Sequence, residues 1–179
     1  MMRHTTSHSI PLLGLVLTFF LAATTSRLSI PLAEWDHVIL TAAHQWSLGI
    51  DTPWLFDHPP LYPALLTLFF KMLGFSVEVA RAVNILCVLT TTFVMYRLAS
   101  KIVGSKAAFW ASAIYLTNPV TIQGISSLDM ADTSLLPLLF LWTAAVLRRL
   151  TLRPTAGNVW LLGACLGLCM WAKVSAAIA

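Results

Sequence analysis

The sequence predicts an all-α fold, a polytopic bundle of transmembrane helices, and three observations carry that prediction. Hydrophobic residues make up 58% of the chain and charged residues 10%, with a mean hydropathy of +0.81, far from the balance of a soluble globular domain. Apolar stretches long enough to cross a bilayer, about 20 residues each, recur along the chain. The charges are also sorted, with basic residues in some short connections and acidic residues in others, the pattern that sets membrane orientation. The net charge of +4 would suit a nucleic-acid partner in a soluble protein, but here its carriers sit at the ends of apolar segments. No nucleic-acid partner is expected.

Taken in order, the apolar core from Ile10 to Thr24 follows a basic start and reads as an uncleaved signal anchor, with a cleaved signal peptide as the alternative. Either places the residues after 27 outside the cytoplasm, and 26–76 becomes a first outer loop. Within it, the stretch after Glu34 is expected to form a short amphipathic helix on the outer surface, with Val38, Ile39, Ala42, Ala43 and Trp46 at helical spacing. The apolar run after Pro59 ends at Lys71, too short to span, and is expected to lie at the interface or to re-enter.

Further spanning helices are expected over Val77 to Ser100, over Ala107 to Ile125 with an interruption at Asn118-Pro119, over Thr133 to Leu147, and from Val159 onward. With the anchor this makes about five. Ser76 before Glu78, and Asp132 with Thr133, are read as helix starts, and Pro154 with Gly157 as the turn before the last helix. Gly163 and Gly167 are four apart and are expected to pack against a neighbouring helix. Cys87, Cys165 and Cys169 lie in apolar segments and imply packing rather than a disulfide framework. Because Ala179 falls inside an apolar segment, residues 1–179 are expected to be the N-terminal part of a longer membrane domain.

A cytoplasmic N-terminus sorts the charges. Inside connections then hold Arg3, Arg97, Lys101, Lys106, Arg148, Arg149 and Arg153, seven of the eleven basic residues, and all seven acidic residues fall outside. Counting Pro59 to Phe75 as a span would move Arg97 to Lys106 outside, against the positive-inside rule.

Candidate chemistry gathers in the outer loop, where Glu34 to Pro63 holds four of the seven acidic residues. Asp36 falls in the first turn of the surface helix, as a cap or as a reactive carboxylate beside the membrane. Asp57 and His58 precede Pro59-Pro60, whose stiff, extended backbone suits side chains that must be held in place. Tyr62 joins Trp35, Trp46 and Trp54 at the level of an interfacial aromatic belt. Of the outside cations, Lys71, Arg81 and Lys173 sit at the outer ends of apolar segments, where long side chains either snorkel or reach a phosphate. Arg81, planar and able to bind two oxygens, is the better phosphate clamp. Asp129 and Asp132, three apart, would either hold a divalent cation through oxygen ligands or serve as a helix cap and a solvated group. His37 and His44 lack a third ligand for a metal. Asn84, Asn118 and Lys173 are the embedded polar groups.

The order Trp35-Asp36, an apolar helix closing at Gly49, Asp57-His58-Pro59-Pro60-Leu61-Tyr62-Pro63, Gly74 and Ala80-Arg81 resembles the polyprenyl-phosphate-sugar-dependent glycosyltransferases of the GT-C fold. These include the protein O-mannosyltransferase-like family and the bacterial enzymes that add aminoarabinose or galacturonic acid to lipopolysaccharide. The likeness continues through Leu128 to Leu136, similar to the acidic start of a later helix, and Trp171-Ala172-Lys173, similar to a small-residue-then-lysine signature. Two positions depart: His37 stands where many members carry Glu, and Asp57-His58 where the lipopolysaccharide-modifying members carry an acidic residue and then lysine.

The resemblance implies a multi-pass enzyme of the inner (plasma) membrane with its active site outside the cytoplasm. It would move a sugar from a polyprenyl-phosphate donor, with inversion, to a lipid or protein acceptor. Asp36 matches the family's first-loop aspartate, and its role would be to take the acceptor proton. Asp57, His58, Tyr62, Arg81, Lys173 and Lys71 would bind substrate, the cations meeting the charge that develops on the departing phosphate. A divalent cation at Asp129 and Asp132 is the one cofactor to consider, and membrane lipid a partner. A fragment of a transporter or flippase is the alternative, which predicts ionisable residues mid-membrane in several helices.

Overall fold

The computed structural model describes residues 9–25, 27–32, 34–51, 60–128 and 131–173. Among them are eight helices and no strand: α1 (Ser9–Thr25), α2 (Glu34–Ser47), α3 (Leu61–Leu73), α4 (Val77–Ser100), α5 (Ser105–Thr117), α6 (Pro119–Ser126), α7 (Ala131–Leu152) and α8 (Ala156–Ala172). The protein is a helical membrane bundle. Helix α4 is its centre, packed against α5 and α7, with α8 on α7, α2 on α3, and α1 on α5 and α6.

Among the described residues, two helices are long and apolar enough to cross a membrane unaided, Val77–Ser100 and Ser134–Leu152. At 17 residues each, α1 and α8 rise about 26 Å, just short of a typical hydrocarbon core. The 13 residues of α3 rise about 20 Å, as expected of a segment that does not span.

The predicted span from Ala107 to Ile125 is instead two helices. Asn118 leaves the helical region (φ −62°, ψ 124°), its side chain accepts the Val120 N–H at 2.9 Å, and Pro119 opens α6. The physical reason is local: proline disfavours helical backbone at the preceding residue and tolerates the first helical position. Helix α7 begins at Ala131, so Asp132 lies inside its first turn rather than ahead of it. Helix α8 begins at Ala156, capped by Thr155, which accepts the Asn158 N–H, and Gly157 falls inside it. Ser76 caps α4 as expected, accepting the Val79 N–H at 3.1 Å.

The packing is inverted relative to a soluble protein. Large apolar side chains point outward, Trp160 being 80% exposed and Phe93, Trp110, Ile114 and Trp171 also uncovered, while Arg81, Asn84, Ser112 and Ser134 are buried. In lipid, outward apolar groups cost nothing and polar groups must be satisfied inside. Thr91, Thr92, Ser112 and Thr143 do so by donating to the carbonyls one turn back. Gly163 and Gly167 do not pack as expected: both are exposed, and a side-chain carbon at either would meet nothing within 4 Å. The buried residues of α8 are Asn158, Cys165, Cys169 and Ala172, with the Cys169 sulfur 3.6 Å from the Thr143 hydroxyl of α7.

Candidate active site

Helix α2 forms where the amphipathic spacing puts it, and its buried face includes most of the expected one. Of the expected residues, Ile39, Ala42 and Ala43 are buried and Val38 and Trp46 partly so, and Leu40 is buried as well. Asp36, Ile39, Leu40 and Ala43 make a stripe at i, i+3, i+4 and i+7. The helix therefore lies against α3, with Ala43's carbonyl accepting the Thr67 hydroxyl at 3.2 Å, and it carries Asp36 into the bundle rather than along the surface. Asp36 is 1% exposed. Its Oδ1 accepts the Leu128 N–H at 2.7 Å, with the Ser127 hydroxyl at 3.5 Å.

Arg81, one turn into α4, is also 1% exposed and grips the same segment from the other side. Its Nε donates to the Ser126 carbonyl at 3.2 Å, one terminal nitrogen donates to the Leu28 carbonyl, and the other to the Ile30 carbonyl at 2.6 Å. The guanidinium thus ties the chain after α1 to the end of α6. These are charge-assisted bonds, one to the buried Ser126 and two to the part-buried Leu28 and the exposed Ile30. The Asp36 carboxyl and the Arg81 guanidinium, both deeply buried, thus bond to the same segment, Asp36 at Ser127 and Leu128 and Arg81 at Ser126.

Beside this pair sits a third polar group. Asn84, one turn beyond Arg81, accepts at Oδ1 the Tyr62 hydroxyl at 2.7 Å and the Ser134 hydroxyl at 3.1 Å, and its amide nitrogen faces the Gly124 and Ile125 carbonyls at 3.5 Å. Tyr62 is buried, and that burial pushes its phenol far above the ordinary tyrosine range, with the nearby Asp36 charge adding to it. The phenol is thereby kept as a hydrogen-bond donor. Helices α3, α4 and α7, the α6 C-terminus and the first turn of α2 all converge on this network.

The structure brings together Asp36, Tyr62 and Arg81 from the predicted residues, and adds Asn84 and Ser134. Lys173, half-buried, caps the C-terminus of α8 at the same end of the bundle, its N–H bonded to the Cys169 carbonyl at 3.0 Å. Lys71 is exposed in the last turn of α3, about 13 Å of helix rise beyond Tyr62. Asp57, His58 and Asp129, and the side chain of Asp132, lie outside the described residues. Among the described residues no three His, Cys, Asp or Glu side chains gather as a metal site. His37 is exposed, while His44 stacks on Phe75 with ring centroids 4.2 Å apart and leaves Nδ1 buried without a partner.

The fold is a helical membrane bundle with a buried carboxyl group and a hydrogen-bonded polar cluster at one end. The chain belongs to the dolichyl-phosphate-mannose-protein mannosyltransferase family, whose model matches residues 57–179. That range contains Tyr62, Arg81, Asn84, Ser134 and Lys173 but begins after α1, α2 and Asp36. Asp36 reaches the matched part through its bond to Leu128. No curated protein and no solved structure matches the chain.

Proposed function

We propose that the protein is a GT-C-type glycosyltransferase that moves a sugar, mannose first among the candidates, from a polyprenyl-phosphate donor to a hydroxyl of a lipid or protein acceptor at the Asp36 end of the bundle, outside the cytoplasm. Membership of the mannosyltransferase family supports the reaction class, and the observation that carries the site is the buried Asp36 carboxylate fixed on the α6–α7 junction.

In this reading the acceptor oxygen forms a bond to the anomeric carbon as the bond from that carbon to the phosphate oxygen breaks. The acceptor proton passes to Asp36, and the electron pair leaves with the polyprenyl phosphate, which gains one negative charge. A carboxylate held within hydrogen-bond reach of the acceptor hydroxyl suits the proton step. The growing phosphate charge needs cations nearby; Lys173, Lys71 and His58 are proposed for this, and Asp57 is proposed to bind substrate. Arg81, whose nitrogens already serve three carbonyls, is proposed as a positioning residue that holds the outer loop, and Tyr62 as one that holds Asn84. The transporter alternative loses ground because the charged residues of α4 and α7 lie toward their ends, none between Arg81 and Arg97 or between Asp132 and Arg148.

Reconstituted protein supplied with polyprenyl-phosphate mannose and membrane acceptors should release free polyprenyl phosphate and label the acceptor. Absence of release with every polyprenyl-phosphate sugar offered, by protein shown to be folded, would overturn the reading.

A further inference from the structure

At the end of the bundle away from Asp36, a cavity of about 580 Å³ opens between the last turns of α4 and α7, within the volume range of small-ligand sites. About 24 Å of α4 rise separates Arg97, on its wall, from Arg81. Five cations line the cavity, Arg97, Lys101, Arg148, Arg149 and Arg153. The sequence has no acidic residue between Glu78 and Asp129 or after Asp132, so no carboxylate of these helix ends can neutralise them. The rest of the wall is apolar, Phe93 among it, with the Arg97 guanidinium 5.9 Å from the Phe93 ring centre.

Orientation rules and helix dipoles explain why basic residues stand at these helix ends. They do not explain why five of them face one cavity, where unscreened like charges repel. A bound anion removes that repulsion. Forked guanidinium donors suit phosphate oxygens, and a basic mouth above an apolar wall between membrane helices suits a lipid headgroup with its chains running down the wall. A free phosphate would have no use for the apolar side.

We propose that this cavity binds the headgroup of an anionic glycerophospholipid from the leaflet at that end, a site separate from the one at Asp36 and independent of the reaction assigned there. The full chain, purified in detergent, can be examined by native mass spectrometry and thermal melting with cardiolipin, phosphatidylglycerol, phosphatidylcholine, inorganic phosphate or polyprenyl phosphate added. Retention and a raised melting temperature are expected with the first two only. Arg97→Gln with Arg148→Gln should lower anionic-lipid retention by roughly tenfold or more, the worth of a charge-assisted hydrogen bond. Lys106→Gln, on α5 at the same end but outside the cavity, should not. Equal loss in both variants, equal binding of phosphatidylcholine or inorganic phosphate, or preference for polyprenyl phosphate would overturn the proposal. If the double glutamine variant does not insert, Arg97→Lys with Arg148→Lys, which keeps the orienting charge, decides it: several-fold weaker retention supports the headgroup contact, and unchanged retention refutes it.

Discussion

Arg81 shows how a single side chain can be read correctly in place and differently in role. Its position near the start of α4 is legible in the sequence, but the carbonyls of Leu28, Ile30 and Ser126 that occupy it are main-chain groups, which leave no trace in residue identity. Arg81→Leu removes all three bonds and leaves the buried Ser126 carbonyl without this donor, and a loss of roughly 1–3 kcal/mol is expected, read as a lowered melting temperature in detergent. Asn84 was visible as an embedded amide, yet nothing in the pattern tied it to Tyr62 or Ser134, because those contacts join three helices. Tyr62→Phe alone should cost about 1 kcal/mol, since Ser134 still serves Asn84 Oδ1. Combined with Ser134→Ala it should cost more than the two single changes together, because the acceptor is then left bare, and a double-mutant cycle on unfolding would measure that excess. Tyr62 also fixes a pH dependence. Its phenol titrates far higher in the folded protein than unfolded, so the contribution is whole below about pH 10 and is lost as pH rises, when only the unfolded state releases the proton. Wild-type melting should therefore fall more steeply above that pH than that of Tyr62→Phe.

At the scale of the helix, periodicity found the elements but not always the buried face. Helix α2 is expected from Val38, Ile39, Ala42, Ala43 and Trp46; Ile39, Ala42 and Ala43 are buried, and Asp36 and Leu40 are buried with them. A carboxylate on an apolar stripe looks like a solvated turn until its partner, the Leu128 N–H, is known, and that partner is 92 residues away. The Asn118-Pro119 pair was noticed as an interruption of one span and proves to be the end of one helix and the start of another, because its cap geometry is strictly local. Asn118→Ala removes the bond to the Val120 N–H and should destabilise by about 1 kcal/mol, measurable by thermal melting. Gly163 and Gly167 mislead for the opposite reason: small residues permit close helix packing without requiring it, and here α8 turns them outward.

For the whole molecule, composition alone settled the class, since a chain with this little charge and this much outward apolar surface folds in lipid. Charge sorting along the sequence also anticipates the two ends of the bundle, one holding Asp36 and Arg81, the other the basic cavity between α4 and α7. If those ends face opposite sides of the membrane, Asp51→Cys should react with an impermeant maleimide added outside intact cells and Lys106→Cys should not, with low background because the native cysteines are buried. The most direct measurement is the rate of sugar transfer from the polyprenyl-phosphate donor by Asp36→Asn, an isosteric change that still accepts the Leu128 N–H but no longer takes a proton readily. A fall of about 100-fold or more, with the wild-type melting temperature retained, is the expected result; a rate close to that of the wild type would contradict the assignment of Asp36 as the base.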